Sequence, residues 1–216
     1  MLKRLTTVGR YSAKRALAPL IFRYPPIGLR PERLYLWADT LLKARLVPGA
    51  VVEIGCAAGG TAAWSSRFLE AAGIDRRYVC IDTFGGFVES QFDTDQGLGT
   101  PASQRTQFSA NSMGLVRQVL KQHGAERVEL VRGDITAVDP GQLPQQIAAV
   151  LLDVDLSEPI EKGLELVWPL LADGGVVLVD DCDDSDWQAS VGYTRFMESQ
   201  GMDPEFRFGM GIARKG

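Results

Sequence analysis

The chain has 216 residues, 45% of them hydrophobic and 23% charged, with a formal net charge of −4. That length suits one well-buried core and is short for two domains, and the charge balance gives no reason to expect nucleic acid or an anionic membrane as partner. No apolar run approaches the roughly 18–20 residues of a membrane span. Three cysteines, Cys56, Cys80 and Cys182, stand at no metal-like spacing and suit a reducing cytoplasm.

Residues 1–30 depart from the average. They carry Lys3, Arg4, Arg10, Lys14, Arg15, Arg23 and Arg30 and no acid, and Pro25-Pro26 closes their helical pattern. This reads as a basic N-terminal arm, a solvated helix packing on the core or on a second subunit of a homo-oligomer. A surface-associating or targeting segment is the other reading. Residues 31–216 are expected to form a single domain.

In chain order, residues 34–46 fit a helix and residues 50–54 a strand. A small-residue turn follows, then a helix over 61–72 and a second strand over 78–81 closed by Asp82. Residues 83–104 show neither period and contain Phe84, Phe87 and Phe92. A loop this long in a compact domain is expected to be a lid over a site. Residues 105–123 read as a helix capped by Gly124, and 128–131 as a third strand followed by Gly133-Asp134. The fourth strand is expected to end in Asp153-Val154-Asp155. A helix with Ile160, Leu164, Val167 and Leu171 on one face comes next, then a fifth strand ending in Asp180-Asp181. A last helix over 187–199 and a hairpin turning near Gly209 complete the chain. The alternation predicts an α/β fold with a mostly parallel sheet, helices on both faces and a C-terminal antiparallel hairpin.

Two features carry chemistry. The first is the pair of strand ends, Asp153-Val154-Asp155 and Asp180-Asp181. Open α/β sheets bind ligands at the C-terminal ends of their strands. Carboxylates gathered there must be protonated or share a cation, and the cation is the better reading. Asp183, Asp184 and Asp186 are expected to be a solvated acidic loop. His123, the only histidine, is expected to be a helix-end charge rather than a catalyst.

The second feature is Glu53-Ile54-Gly55-Cys56-Ala57-Ala58-Gly59-Gly60-Thr61, a strand–turn–helix junction. A dinucleotide turn needs a middle glycine beside the pyrophosphate, but Ala57 stands there and Glu53 would repel phosphate. An NAD-binding oxidoreductase is therefore disfavoured. A ligand with a cationic end and no phosphate fits better, and S-adenosylmethionine is such a ligand. Asp82 is placed for its ribose hydroxyls and Asp134 for its adenine amino group.

These motifs, with Ile81-Asp82-Thr83-Phe84-Gly85-Gly86-Phe87 and Leu152-Asp153-Val154-Asp155-Leu156, resemble the class I S-adenosylmethionine-dependent methyltransferases with their Rossmann-like fold. More narrowly they resemble the macrocin O-methyltransferase family, which methylates sugar hydroxyls. The resemblance implies that Asp153, Asp180 and Asp181 hold Mg²⁺ and that Asp155 is the general base. It also implies that Glu53, Gly55, Gly59, Thr61, Asp82 and Asp134 meet the cofactor. The implied acceptor is a small molecule or an oligosaccharide. The chain departs from the family at Ser157 (usually Tyr), at Pro159-Ile160 (usually Ser-Thr) and at Cys182 (usually aromatic). These positions flank the acceptor pocket. A Mg²⁺-dependent catechol methyltransferase remains an alternative, and a non-catalytic cofactor-binding module is disfavoured by the intact carboxylate set.

Overall fold

The computed structural model describes residues 24–216. Most of the basic arm expected at 1–30 lies outside the described residues. Its last part belongs to the domain: Leu29 is buried, and Gly28 and Arg30 line the main cavity. The wall of the site thus begins before residue 31.

Seven strands form one sheet in the order β3-β2-β1-β4-β5-β7-β6. They are β1 (Ala50–Ile54), β2 (Tyr78–Asp82), β3 (Glu129–Arg132), β4 (Ile147–Leu152), β5 (Leu171–Val179), β6 (Glu205–Arg207) and β7 (Met210–Arg214). The first five run parallel, while β7 runs antiparallel to β5 and β6 antiparallel to β7. The strand order reverses between β1 and β4, the position at which such sheets open a ligand crevice.

Alternation along the strands builds two cores. Val51 and Leu178 face a layer containing Trp37, Leu41, Ala62, Ala63, Val116 and Leu120. These come from α1 (Pro31–Lys43), α2 (Gly60–Ala71) and α4 (Met113–Gln122). Val52, Ile54, Val177 and Val179 face Ile160, Leu164, Val167 and Phe196, from α5 (Ser157–Val167) and α6 (Ala189–Ser199). Strands buried on both faces read as continuous apolar runs for this reason.

Four elements differ from the expected ones. The segment 83–104 carries a helix, α3 (Glu89–Leu98), buried only at Gln91, Phe92 and Asp95. So narrow a buried strip, two of its three residues polar, leaves no apolar period to read. The helix expected over 105–123 is broken. A 3₁₀ turn at Ala102–Thr106 precedes α4, whose N-cap Ser112 accepts from Leu115 N at 3.1 Å. Leu171 begins β5 instead of closing α5, because Pro169 ends the helix in a 3₁₀ turn at Trp168–Leu170. β4 stops at Leu152 rather than running to Asp155. Asp153 and Asp155 therefore do not alternate along a strand, and Asp155 stands in the left-handed region at φ +64°.

Candidate functional site

The ladder runs one residue past several strand ends. Gly55 N donates to Ile81 O, Gly133 N to Asp82 O, Asp153 N to Ile54 O and Asp180 N to Leu152 O, at 2.8–3.0 Å. Gly55, Gly133, Asp153 and Asp180 are thereby set in a row along the C-terminal edge. All four line a cavity of about 300 Å³, a size within the range of small-molecule sites.

On the β1–β3 side, carboxylates meet neutral donors. Asp82 Oδ2 accepts from Cys56 N at 2.9 Å and Ala57 N at 3.1 Å, and Oδ1 from Phe84 N at 2.6 Å. Burial raises its pKa and these three amides pull the other way. Asp134 accepts from Gln91 Nε2 and Thr136 Oγ1, both at 2.8 Å, and from Thr136 N at 3.0 Å. Gly55 is the one residue type its position tolerates. At φ +84° a Cβ there would lie 1.8 Å from Asp153 O.

On the β4–β5 side, carboxylates meet each other. One oxygen each from Asp153, Asp155 and Asp181 lie within 4.8 Å of one another. Asp155, expected as the base, thus stands in this trio, and Asp180, expected as a metal ligand, does not, one of its oxygens being bonded to Arg33. Burial first, then Asp180 and Asp155, hold the Asp153 pKa well above the usual carboxylate range. For Asp155 the causes are burial and then Asp181. Asp180 is pushed up to about 6 by burial and Asp181, against the opposing pull of Arg33. Asp155 and Asp181 both stand in left-handed backbone, at φ +64° and +54°. Strain of this kind in residues with a Cβ is held only where the surroundings over-determine it.

A protein cation sits among them. Arg33, 2% exposed, donates through Nη1 to Asp180 Oδ1 at 2.7 Å and Asp181 Oδ1 at 2.5 Å. It also donates through Nη2 to Asp183 and through Nε to Phe208 O at 3.2 Å. Burial acts to lower its pKa and is outweighed by Asp180, Asp181 and Asp183, so the guanidinium stays charged. Asp183, expected as part of a solvated loop, is instead a partner of this buried arginine. The second oxygens of Asp180 and Asp181 take no bond from Arg33.

An aromatic cluster that includes Phe87, Phe108 and Trp187 lines the cavity beside the carboxylates. Phe87 lies 5.4–5.5 Å from Phe92, Phe108 and Trp187, and Leu156 packs into the same cluster. Residues 83–108 thus contribute Phe87, Val88, Gln91, Gln107 and Phe108 to the cavity lining and carry a helix rather than forming an open loop.

The structure brings Gly55, Asp82, Asp134, Asp153, Asp155, Asp180 and Asp181 to one cavity. Three of the residues expected to meet the cofactor lie elsewhere. Glu53 points into the helix layer, where it is buried and accepts from Tyr78 Oη at 2.5 Å, and burial raises its pKa to about 8. Strand alternation dictates this, since its neighbour Ile54 takes the other face. Gly59 packs under Val116, which a Cβ would meet at 2.7 Å. Thr61 is buried in the first turn of α2. His123 is the C-cap of α4, outside the cavity lining.

The residues not anticipated are Arg33, Gln91, Asp95 and Trp187. Arg33 had a signal in its spacing, since Arg33, Leu36, Trp37, Thr40 and Leu41 share the buried face of α1. An arginine on such a face needs carboxylate partners.

The donor chemistry fits two absent groups. All-oxygen carboxylate ligands with raised proton affinity suit a hard divalent cation. A glycine turn with hydrogen-bonding acids at the next two strand ends suits an adenosyl group without a pyrophosphate.

Residues 31–206 match the profile of a family described as macrocin-O-methyltransferase (TylF). A protein of Streptomyces olivaceus described as 8-demethyl-8-(2,3-dimethoxy-alpha-L-rhamnosyl)-tetracenomycin-C 4'-O-methyltransferase is 30% identical over 162 residues, 72% of this chain and 61% of that protein. The match therefore spans less than two thirds of the relative's length. Among solved structures, the O-methyltransferase NovP superposes with a TM-score of 0.74 at 22% identity, over 85% of this chain and 79% of that one. The calicheamicin methyltransferase CalS11 gives 0.69 at 23% identity with the same coverage. These two likenesses establish the Rossmann-like methyltransferase fold.

Proposed function

This chain belongs to the macrocin-O-methyltransferase family, and on that premise we propose that it transfers a methyl group from S-adenosylmethionine to a hydroxyl of a sugar, glycoside or oligosaccharide, with Mg²⁺ at the carboxylates. The observation that carries this reading is the meeting of Asp153, Asp155 and Asp181 oxygens within 4.8 Å on a cavity whose other wall holds the glycine turn, Asp82 and Asp134. The rhamnosyl acceptor in the relative's description supports a sugar hydroxyl.

Bound S-adenosylmethionine supplies an activated methyl group, so the protein must contribute alignment and a better nucleophile. Gly55 would let the backbone approach the cofactor, Asp82 would accept from ribose hydroxyls and Asp134 from the adenine amino group. Asp153, Asp180 and Asp181 would hold the divalent cation, which supplies positive charge that orients acceptor oxygens and lowers a hydroxyl pKa. Arg33 keeps Asp180 and Asp181 in place and offsets part of their charge. Asp155, whose carboxylate oxygen lies within 4.8 Å of those of Asp153 and Asp181, would accept the acceptor's proton as general base. The reaction belongs to a reducing cytoplasm, where Cys56, Cys80 and Cys182 remain free thiols.

The test is an acceptor panel with methyl-labelled S-adenosylmethionine, comparing L-rhamnosyl glycosides, a nucleoside diphosphate sugar and catechol. Label should enter a sugar hydroxyl and stop entering on chelation. The aromatic cluster of Phe87, Phe108 and Trp187 favours a second reading, a Mg²⁺-dependent catechol or phenolic methyltransferase. Label entering catechol alone would establish that reading in place of the first.

A further inference from the structure

Helix α3 contributes Gln91 to the cavity wall and is fastened at two points. Gln91 Nε2 donates to Asp134 Oδ2 at 2.8 Å and Thr136 Oγ1 at 3.1 Å, on the β3 side. One turn later Asp95, fully buried, accepts from Ser157 N at 2.6 Å through Oδ2 and from Ser157 Oγ at 2.5 Å through Oδ1. Between them Phe92 packs with Leu156 and Trp187.

Ser157 is the first residue of α5, and the N-cap before it, Leu156, has no side chain to satisfy the exposed amides. Asp95 takes that role from another helix. A charge-assisted pair of bonds at a helix N-terminus is strong, and this one acts two residues beyond Asp155. The left-handed Asp155 bonds Asp181 through its carboxyl and is otherwise held by its backbone. Its carbonyl accepts from Gln188 N at 3.2 Å, and Leu156 N closes a tight turn onto Val154 O at 2.7 Å. Without Asp95, nothing bonds the Ser157 hydroxyl, and the strained turn loses its C-terminal anchor.

We propose that Asp95 is a positioning residue for methyl transfer: by gripping both donors of Ser157 it holds the turn of residues 153–156, and so sets the Asp155 carboxylate against the acceptor. The same helix bonds Asp134 separately through Gln91, a contact that a change at Asp95 leaves in place. The inference rests on the reading of Asp155 as general base. A misplacement of about 1 Å at a reacting group can cost about a hundredfold in rate, so the expected effect is large for a residue that touches neither substrate.

The experiment compares Asp95→Asn, Ser157→Ala, Ser157→Thr, Asp155→Asn and the Asp95→Asn/Asp155→Asn pair. The readouts are kcat and KM with an L-rhamnosyl glycoside, calorimetric affinity for S-adenosylhomocysteine, and hydrogen exchange of residues 153–157. Asp95→Asn should lower kcat about tenfold to a hundredfold, leave S-adenosylhomocysteine affinity within about twofold, and speed exchange in the turn. Ser157→Ala should show the same pattern more weakly, and Ser157→Thr, which keeps the hydroxyl, should restore it. On the Asp155→Asn background, Asp95→Asn should cost nothing further. An equal loss on both backgrounds, or intact kcat with a lowered Tm, would overturn the positioning role while leaving the base reading standing. Wild-type kcat in Asp155→Asn would overturn the base reading itself, and the positioning role with it.

Discussion

The two halves of the cavity solve the burial of acids in opposite ways. At the ends of β2 and β3, Asp82 and Asp134 are met by neutral amides and hydroxyls from Cys56, Ala57, Phe84, Gln91 and Thr136. At the ends of β4 and β5, Asp153, Asp155, Asp180 and Asp181 face one another, and Arg33 is the one described cation among the cavity-lining residues that bonds to them. The first arrangement is electrostatically finished and suits hydrogen-bonding recognition of an uncharged ribose and adenine. The second gathers more carboxylates than one guanidinium offsets, which is why a divalent cation is proposed there.

Removing the base breaks this contrast most severely. Asp155→Asn should lower kcat by about 10²- to 10⁴-fold while leaving S-adenosylhomocysteine affinity near normal. Loss of cofactor binding in that variant would move Asp155 from one half of the site to the other.

Arg33→Met comes next. It leaves Asp180 and Asp181 without their buried counter-charge, and breaking a buried pair costs about 3–5 kcal/mol. For a chain of this size that corresponds to a fall in Tm of about 10 °C, seen by differential scanning calorimetry. Added Mg²⁺ should recover part of it, because a second cation replaces the lost one. An unchanged Tm would show that the carboxylates are not in electrostatic debt.

Asp82→Ala should act on the other half only. Losing its hydrogen bonds, worth about 1.5–3 kcal/mol each when charge-assisted, should weaken S-adenosylhomocysteine by about tenfold to a hundredfold. Mg²⁺ affinity should not move. If both affinities fall together, the division of the cavity is wrong.

The smallest effect is at Glu53. Its pKa rises from 4.5 to about 8 through burial, so its contribution to stability is fully present below the unfolded value and is lost as pH rises through about 8. Glu53→Gln mimics the protonated acid and keeps an acceptor for Tyr78. Thermal unfolding should match wild type at pH 4 and exceed it by a few degrees at pH 9. Equal curves at both pH values would show that Glu53 is ionised in the fold.

What the sequence disclosed follows the same division. Apolar strands covered on both faces, their order, and acids at their ends are local patterns, so the α/β fold and the row from Gly55 to Asp181 were legible. Glu53 was misplaced because chemistry alone ranked it, while the strand's period of two assigns it to the helix layer. Arg33 lies 147 residues from its partner Asp180, and only the fold joins them. The segment 83–104 read as a loop because Gln91 and Asp95 hold α3 by polar bonds, which leave no hydrophobic period. The left-handed turn at Asp155 has only a weak signature: aspartate is disfavoured in strands and tolerated in left-handed backbone, but one such residue at a strand end does not fix where the strand stops.

The proposed metal site is tested most directly by a calorimetric titration of Mg²⁺ into the protein saturated with S-adenosylhomocysteine, wild type beside Asp153→Ala. One binding site is predicted for the wild type, weakened by about a hundredfold or more in the variant. Absence of binding to the wild type, or the same affinity in both proteins, would contradict it.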